Sequence, residues 1–297
     1  MRILLTGGTG FIGRALCTRL LAGGHRLTVW SRRPALARQR LPGVAVIEDL
    51  AEAGEIEAVV NLAGEPLVGR RWSARQKQAI RDSRLNTTAQ LVRWMAPRLR
   101  RPHVLVSGSA IGYYGAHGDA LLDESTPAGD DFAAVLCRDW EHAAMQAEDL
   151  GLRVCRLRTG IVLGADGGAL GKMLPPFRWG MGGPIGHGRQ WMSWIHREDL
   201  IGLIQWLLEF ESAGGAYNGT APEPVRNREF ARTLGRVLHR PALLPTPSPL
   251  LRLAFGEGAQ LMLTGQRVMP MHALVEGFRF RFPQLEDALR DVLDKPA

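Results

Sequence analysis

The 297-residue chain is poor in cysteine, lysine and tyrosine, and each shortage narrows what it can be. Its three cysteines, Cys17, Cys137 and Cys155, are odd in number and far apart. They make neither a disulfide framework nor a metal-ligand spacing, and they suit a reducing compartment. No apolar run approaches the ~20 residues needed to cross a bilayer. A glycine-rich turn begins at Gly7 and leaves no room for a signal peptide before it. A soluble, cytoplasmic protein with no membrane partner is expected. Lysine occurs only at Lys77, Lys172 and Lys295, so arginine dominates the 37 basic residues; with 29 acids the net charge is +8. That balance suits nucleic acid only where the charge is gathered, and these arginines are scattered, with no basic helix or stacking-aromatic motif. An anionic cofactor and a small-molecule substrate explain the charge more simply. No internal repeat or low-complexity tract is present.

What the chain does have is concentrated at its start. Ile3-Leu4-Leu5 reads as a buried strand. Thr6 to Gly10 break it, and from Phe11 the apolar residues recur at Ile12, Ala15, Leu16 and Leu20 with helical spacing. Gly23-Gly24 stops the helix, and Leu27 to Trp30 reads as a second strand. The turn can be spelled Gly8-x-Gly10-x-x-Gly13 or Gly7-x-x-Gly10-x-x-Gly13. A diphosphate held by the free N–H groups of a helix N-terminus needs glycines there, because side chains would hold it off. Strand before and helix after are the context this motif requires. NAD-type sites place an acid after the second strand; here Ser31-Arg32-Arg33 follow, which suits a 2′-phosphate and points to NADP(H).

Further strands are expected at Val44–Ile47, Ile56–Leu62, His103–Ser107 and Arg153–Leu163. Helices are expected at Ala74–Met95, Phe132–Leu150, Asp199–Glu211 and Asn227–Leu238. Strand–helix alternation to residue 163 predicts an α/β, Rossmann-type doubly wound parallel sheet with helices on both faces. Residues 164–247 form a Gly-, Met- and Trp-rich substrate region, too irregular for sheet repeats, of which about 190–225 return to the first domain. Residues 248–297 form a small, mostly helical C-terminal part.

The Thr6–Gly13 turn, Asn61-Leu-Ala-Gly64, Ser107-Gly-Ser109 with Tyr113-Tyr-Gly115, and Trp194-Ile-His-Arg-Glu-Asp199 occur in one order. Together they resemble the extended short-chain dehydrogenase/reductases, the NAD(P)-dependent epimerase/dehydratase-like branch. Arg71-Trp72, Ser83-Arg84, Met173–Phe177 and Gly188–His196 are similar to a narrower group known only as epimerase family proteins. The resemblance covers essentially the whole chain. It implies that Gly7, Thr9, Gly10, Phe11 and Ile12 hold the pyrophosphate and that Ser31 and Arg32 take the 2′-phosphate. It further implies that Leu62 and Ala63 line the nucleotide's path, that Arg84 is a further cofactor contact, and that Val162, on a loop after the sixth strand, meets the carboxamide.

The resemblance breaks at proton transfer. The superfamily uses a Tyr and a Lys four residues later, the cation easing loss of the phenolic proton. The only tyrosines are 113, 114 and 217, and none has a lysine four residues on. Ala133 and Cys137 fall where the pair belongs. Ser109 aligns with the residue that bonds the substrate oxygen, and Tyr113 is the candidate proton donor. Arg138 and Cys137 are weighed as a cation and a nucleophile, each against a plain structural role. Gln190 and Trp191 are read as pocket wall, with Lys172 or Arg189 meeting an anionic group, and Trp194 as structural. An oxidoreductase or epimerase on a small hydroxyl- or carbonyl-bearing substrate is expected, the alternative being a non-catalytic NADP-binding sensor or docking module.

Overall fold

The computed structural model describes residues 1–67 and 69–294. Val68, in the loop expected after the fourth strand, and residues 295–297 of the C-terminal part lie outside the described residues. Seven parallel strands form one sheet: β1 (Arg2–Thr6), β2 (Arg26–Trp30), β3 (Ala45–Ile47), β4 (Ala58–Asn61), β5 (Val104–Ala110), β6 (Arg153–Thr159) and β7 (Gly215–Gly219), in the order β7-β6-β5-β4-β1-β2-β3. The helices α1 (Phe11–Ala22), α2 (Pro34–Arg40), α3 (Ala74–Met95), α4 (Phe132–Met145), α5 (Gly168–Arg178), α6 (Arg197–Glu209) and α7 (Asn227–Val237) follow in turn. The doubly wound sheet expected from the alternation is the one formed.

Alternation along the strands explains why both faces are covered. Ile3 and Leu5 point to one side, where Leu16 and Leu20 of α1 and Leu203 and Leu207 of α6 bury them. Leu4, Val59, Leu105 and Val154 point to the other, against Leu91 and Met95 of α3 and Ala144 of α4. Full burial of such a side chain contributes about 1.5–3 kcal/mol. On the α3/α4 side the strands change character toward their C-terminal ends. Two residues beyond the apolar row stand Thr6, Asn61, Ser107 and Arg156, paired in register across β1, β4, β5 and β6. Two further on stand Ser109, Arg158 and Asn218, in register across β5, β6 and β7. The sheet carries its own boundary between core and site.

Three elements depart from the sequence reading. The expected strand 153–163 is broken at Gly160, where a Cβ would lie 2.5 Å from the Ser193 carbonyl oxygen. Gly160 still bonds Gly219 of β7, but Ile161 N turns to Ser193 O, and Ile161–Leu163 pairs with Trp194–His196 as a separate two-stranded sheet. The region 164–196 is not wholly irregular: α5 forms despite Pro175 and Pro176, because Leu170, Leu174 and Phe177 share one buried stripe. α4 ends at Met145, and a 3₁₀ turn at Glu148–Leu150 leads to Gly151 with φ +82°.

The C-terminal part contains α8 (Ser248–Phe255), α9 (Gln260–Leu263), α10 (Met271–Val275) and α11 (Leu285–Asp294). Leu285, Ala288, Leu289 and Val292 of α11 pack on Phe230 and Leu234 of α7. The approach to α11 is fixed by Asp199, in the first turn of α6, which accepts from Arg281 N at 2.8 Å and Phe282 N at 2.9 Å. Burial raises the Asp199 carboxyl above its ordinary value, and the two N–H donors work against that rise. Replacing it with alanine strands both donors. Asp199→Ala is expected to cost about 1–3 kcal/mol, read as a lower urea midpoint at unchanged slope; an unchanged midpoint would show that the C-terminal part does not depend on this anchor.

Candidate functional site

The glycine turn is built as a cradle. Gly7 has φ +71°, and a Cβ on it would lie 2.6 Å from the Leu62 carbonyl oxygen at the exit of β4. A Cβ on Gly13 would fall 2.2 Å from Gly7 O, so glycine there lets α1 sit down on the turn. Gly10 is the N-cap of α1, exposed and without a side-chain cap, and the first turn of the helix holds no acid. The N–H groups and positive end of the dipole are left for an outside anion. A dinucleotide diphosphate fits these residues. Thr9 and Ile12 are partly exposed beside them. Phe11 is a wedge: Cβ atoms on Gly164, Gly167 and Gly168 would come within 2.6–3.0 Å of its ring, so three glycines let the 164–168 loop close on the start of α1. The Arg197 guanidinium lies over the same ring at 5.0 Å.

The strand ends beside the cradle are fixed by a buried polar chain. Thr6 Oγ1 donates to Asn61 Oδ1 at 2.7 Å and accepts from Ala63 N at 3.1 Å. Asn61 Nδ2 and Trp140 Nε1 both donate to Thr88 Oγ1, at 2.8 and 3.0 Å, and Thr88 donates to Arg84 O. Leu62 and Ala63 are thereby held at the mouth of the sheet. Arg84 is buried; its Nη1 donates to Glu65 O at 3.0 Å and Ile80 O at 3.1 Å, and burial lowers its pKa. Its guanidinium presses on Gly64, where a Cβ would lie 2.9 Å from Cζ. At the end of β2, Ser31 accepts from Arg33 N, while Arg32 is exposed and makes no ion pair among the described residues. Asp49 spends its carboxylate on Ala51 N in a local capping box. Val162 does not sit on a loop: it lies in the Ile161–Leu163 strand, buried and paired with Ile195, because Gly160 ended the sixth strand early.

Across the ends of β5, β6 and β7 lies the densest polar cluster. Arg158 and Glu141 are each 3% exposed. Arg158 Nε donates to Glu141 Oε1 at 2.8 Å and Nη2 to Oε2 at 3.0 Å, a forked pair. Ser109 Oγ donates to Glu141 Oε1 at 2.7 Å. Arg158 Nη1 donates to the Tyr114 hydroxyl at 3.0 Å, and Tyr114 donates to Asn218 Oδ1 at 2.7 Å. Burial opposes the Arg158 charge, but bonding and attraction to Glu141 outweigh it and raise its pKa. The Tyr114 phenol is pushed up to about 12 by burial, against the pull of Arg158. Glu124 closes the cluster, accepting from Asn218 N at 2.9 Å and His272 N at 3.3 Å. Tyr113 is partly exposed on the 3₁₀ turn after β5, with the Arg158 guanidinium 3.5 Å from its ring centre. Ser109 and Tyr113 are therefore brought to one ion pair.

Glu141 and Arg158 were not singled out in the sequence, although each carried a signal. Ala133, Cys137 and Glu141 repeat at four-residue spacing and share the buried face of α4, so Glu141 stands one turn beyond the positions that hold Tyr and Lys in the resembled family. Arg158 is a charge at an inward position of a strand. The other candidates resolve plainly. Cys137 is buried, and burial pushes its thiol up to about 12, which works against the thiolate a nucleophile needs. Arg138 is exposed beside Asp139 and takes no part in the cluster. Gln190 is not open pocket wall: it is buried, donating to Ile185 O and Met262 O. Trp191 is partly exposed, bonded to Asp119 and flanked by Arg226 and Arg267. Trp194 is fully buried, donating to Glu223 O. His196 caps α6 through Nδ1 and meets Asp291 at 3.2 Å through Nε2. An open groove of about 590 Å³ lies elsewhere, along the outer side of α1. Within it Arg14 and Arg197 meet Asp166 and Arg19 meets Glu198, while Arg40 lines it without an ion pair among the described residues.

A glycine cradle at the first strand–helix turn of a doubly wound sheet, with a serine at the end of β5, defines a dinucleotide-binding protein of short-chain dehydrogenase type. Residues 3–218 match the model of the NAD dependent epimerase/dehydratase family, and residues 246–292 match a domain of unknown function, DUF1731. The chain belongs to the NAD dependent epimerase/dehydratase family. It is 43% identical to the chloroplastic epimerase family protein SDR39U1 homolog of Arabidopsis thaliana, over 99% of this chain and 87% of the relative. It is 42% identical to the human epimerase family protein SDR39U1, over 99% of this chain and the whole relative. A crystal structure of the human protein, isoform 2, with NADPH superposes with a TM-score of 0.93 at 40% identity, covering all of both chains.

The cluster makes a prediction of its own. Glu141→Ala leaves Arg158 buried without its carboxylate and is expected to cost about 3–5 kcal/mol. The double variant Glu141→Ala, Arg158→Met should lose less than the losses of Glu141→Ala and Arg158→Met added together. Denaturant titration of the three variants checks this; a loss below about 1 kcal/mol for Glu141→Ala would mean the guanidinium is satisfied without it.

Proposed function

We propose that the protein binds NADP(H) across the ends of β1, β2 and β4 and acts as an oxidoreductase or epimerase on a small hydroxyl- or carbonyl-bearing substrate. The observation that carries the cofactor half is the uncapped α1 N-terminus over a turn in which a Cβ at Gly7 or Gly13 would collide with backbone, with Ser31 and Arg32 where an NAD site keeps an acid. The human relative crystallised with NADPH supports it. Gly7, Thr9, Gly10, Phe11 and Ile12 would hold the diphosphate, Ser31 and Arg32 the 2′-phosphate, and Leu62, Ala63, Arg84 and Val162 the remainder. When bound, the dinucleotide supplies hydride exchange at the nicotinamide ring.

The chain's own residues would manage the substrate oxygen. Ser109 already gives its proton to Glu141, so it offers lone pairs and is suited to accept a hydrogen bond from a substrate alcohol. Tyr113 is the remaining proton carrier next to it. The Arg158 guanidinium under its ring supplies positive charge from β6, where the resembled family uses a lysine on α4. A second reading, an NADP-binding sensor without turnover, is favoured by the same Ser109–Glu141 bond, which occupies the serine's proton.

Two measurements decide between these. NADPH oxidation is followed with a panel of carbonyl compounds for the parent, Ser109→Ala and Tyr113→Phe. Turnover in the parent that falls about a hundredfold in either variant supports the catalytic assignment; equal turnover in all three removes it, and tight NADPH binding with neither NADPH oxidation nor redox-neutral inversion of a hydroxyl compound in the parent favours the sensor. Arg32→Ala is expected to weaken NADP binding about tenfold or more while leaving NAD binding unchanged. Calorimetric titration reads both, and an unaltered preference would show that Arg32 does not read the 2′-phosphate.

A further inference from the structure

One broad apolar area is exposed on the substrate-region side. Trp179 and Met181 follow α5, Leu243 and Leu244 lie in the proline-rich stretch after α7, and Leu250 and Leu253 project from α8. Each is more than half exposed, Leu243 at 80% and Trp179 at 79%. The two segments run together: Leu244 N donates to Gly182 O at 3.2 Å, Thr246 N to Pro184 O at 2.9 Å, Gly186 N to Thr246 O at 2.9 Å, and Arg240 Nε to Arg178 O at 3.1 Å. Trp179, Met181, Leu243 and Leu244 thus stand on joined segments, and α8, which carries Leu250 and Leu253, starts beside them, where a Cβ on Gly186 would lie 2.6 Å from Ser248 Oγ. Large apolar groups this exposed stand clear of the surface; they do not line a groove. A contiguous area of them marks an interaction site.

The charge around this face is one-sided. Residues 168–190 and 239–256 contain Lys172, Arg178, Arg189, Arg240 and Arg252 and no Asp or Glu, in a chain where 29 of 297 residues are acidic. Arg178, Arg240 and Arg252 are exposed and make no ion pair among the described residues. The neighbouring α7 adds Arg228 and Arg232 against one acid, Glu229. A second copy is a poor occupant, because a two-fold interface sets a face against itself and would bring arginines onto arginines. A surface that is apolar within and anionic at its edge satisfies both features. Leucine, methionine and tryptophan enter the acyl boundary while the arginines stay at the headgroups.

We propose that this face adsorbs to an anionic lipid surface. No described helix is long and apolar enough to cross a membrane, and adsorption requires none. The sequence expectation of no membrane partner rested on the lack of a spanning run and did not address adsorption.

Co-sedimentation tests this with vesicles of phosphatidylcholine alone and of phosphatidylcholine with about one-third phosphatidylglycerol. The parent is expected to sediment with the second and to stay in solution with the first. Two triple variants separate the contributions: Trp179→Ser, Leu243→Ser, Leu253→Ser and Arg178→Gln, Arg240→Gln, Arg252→Gln. All six positions are exposed, and Arg240→Gln gives up one exposed bond to Arg178 O, so thermal melting should stay within a few degrees of the parent, and each variant should bind about tenfold more weakly or worse. Failure of the parent to bind the anionic vesicles overturns the proposal, whether or not velocity sedimentation then finds a self-association that the serine variant abolishes. Equal binding by the serine variant also overturns it, since the net charge alone would then be responsible.

Discussion

The upper end of the sheet depends on the pairing of Arg158 with Glu141. Two opposite charges, each 3% exposed, are held by forked hydrogen bonds between β6 and α4. Desolvating them is expensive, and only the fork, the Ser109 and Tyr114 bonds and the mutual attraction offset that cost. The pair therefore acts less as a source of stability than as a constraint on arrangement. β5 must deliver Ser109 to Glu141, β7 must deliver Asn218 to Tyr114, and the turn after β5 must lay Tyr113 on the guanidinium. Through Glu124 the same cluster reaches His272 of the C-terminal part. A change at any member is felt by four strands or helices at once.

Legibility in the sequence followed how local each cause was. The Gly7–Gly13 turn could be read because the strand, the turn and α1 all lie within the first 22 residues, and its glycines have one physical purpose each. Long helices such as α3 were equally plain from periodicity. The break at Gly160 was not, because what forbids a side chain there is the Ser193 carbonyl, thirty-three positions on. α5 was hidden by its two prolines, whose local cost is outweighed only by a stripe buried against α7 and the C-terminal part. The Arg158–Glu141 pair was the hardest case. Each partner alone reads as a surface charge, and only the packing of α4 against β6 shows that they are aimed at each other.

The two halves of the site have diverged for a physical reason. Cofactor binding of this type rests on backbone: a turn without side chains and a helix start without a cap. Many substitutions elsewhere leave such a cradle intact. Proton transfer rests on a few side chains in mutual reach, and losing one leaves the others without purpose. On α4, Ala133 and Cys137 are buried, and the charge on that face is the carboxylate of Glu141, one turn further on. Glu141 ties up the Ser109 proton and meets two cations that stand on the strand, Arg158 at 2.8 Å and Arg156 at 3.5 Å. Two tyrosines meet Arg158: Tyr114, buried and bonded to it through the hydroxyl, and Tyr113, partly exposed with its ring against the guanidinium.

Charge is handled in opposite ways inside and outside the molecule. In the interior, each member of the cluster is answered: Arg158 by Glu141, Asn218 and His272 by Glu124, and Asp199 by two backbone donors. On the face formed by α5, α8 and the proline-rich stretch, arginines stand among exposed leucines with no acid in either segment. A soluble surface ordinarily mixes signs and breaks up apolar area, because both measures oppose association. This face does neither, and it is continuous with the 164–190 segment whose other end closes on Phe11 at the cradle. Contact there bears directly on the element that covers the start of α1, so the environment of the face and the site at the strand ends are joined by a single stretch of chain.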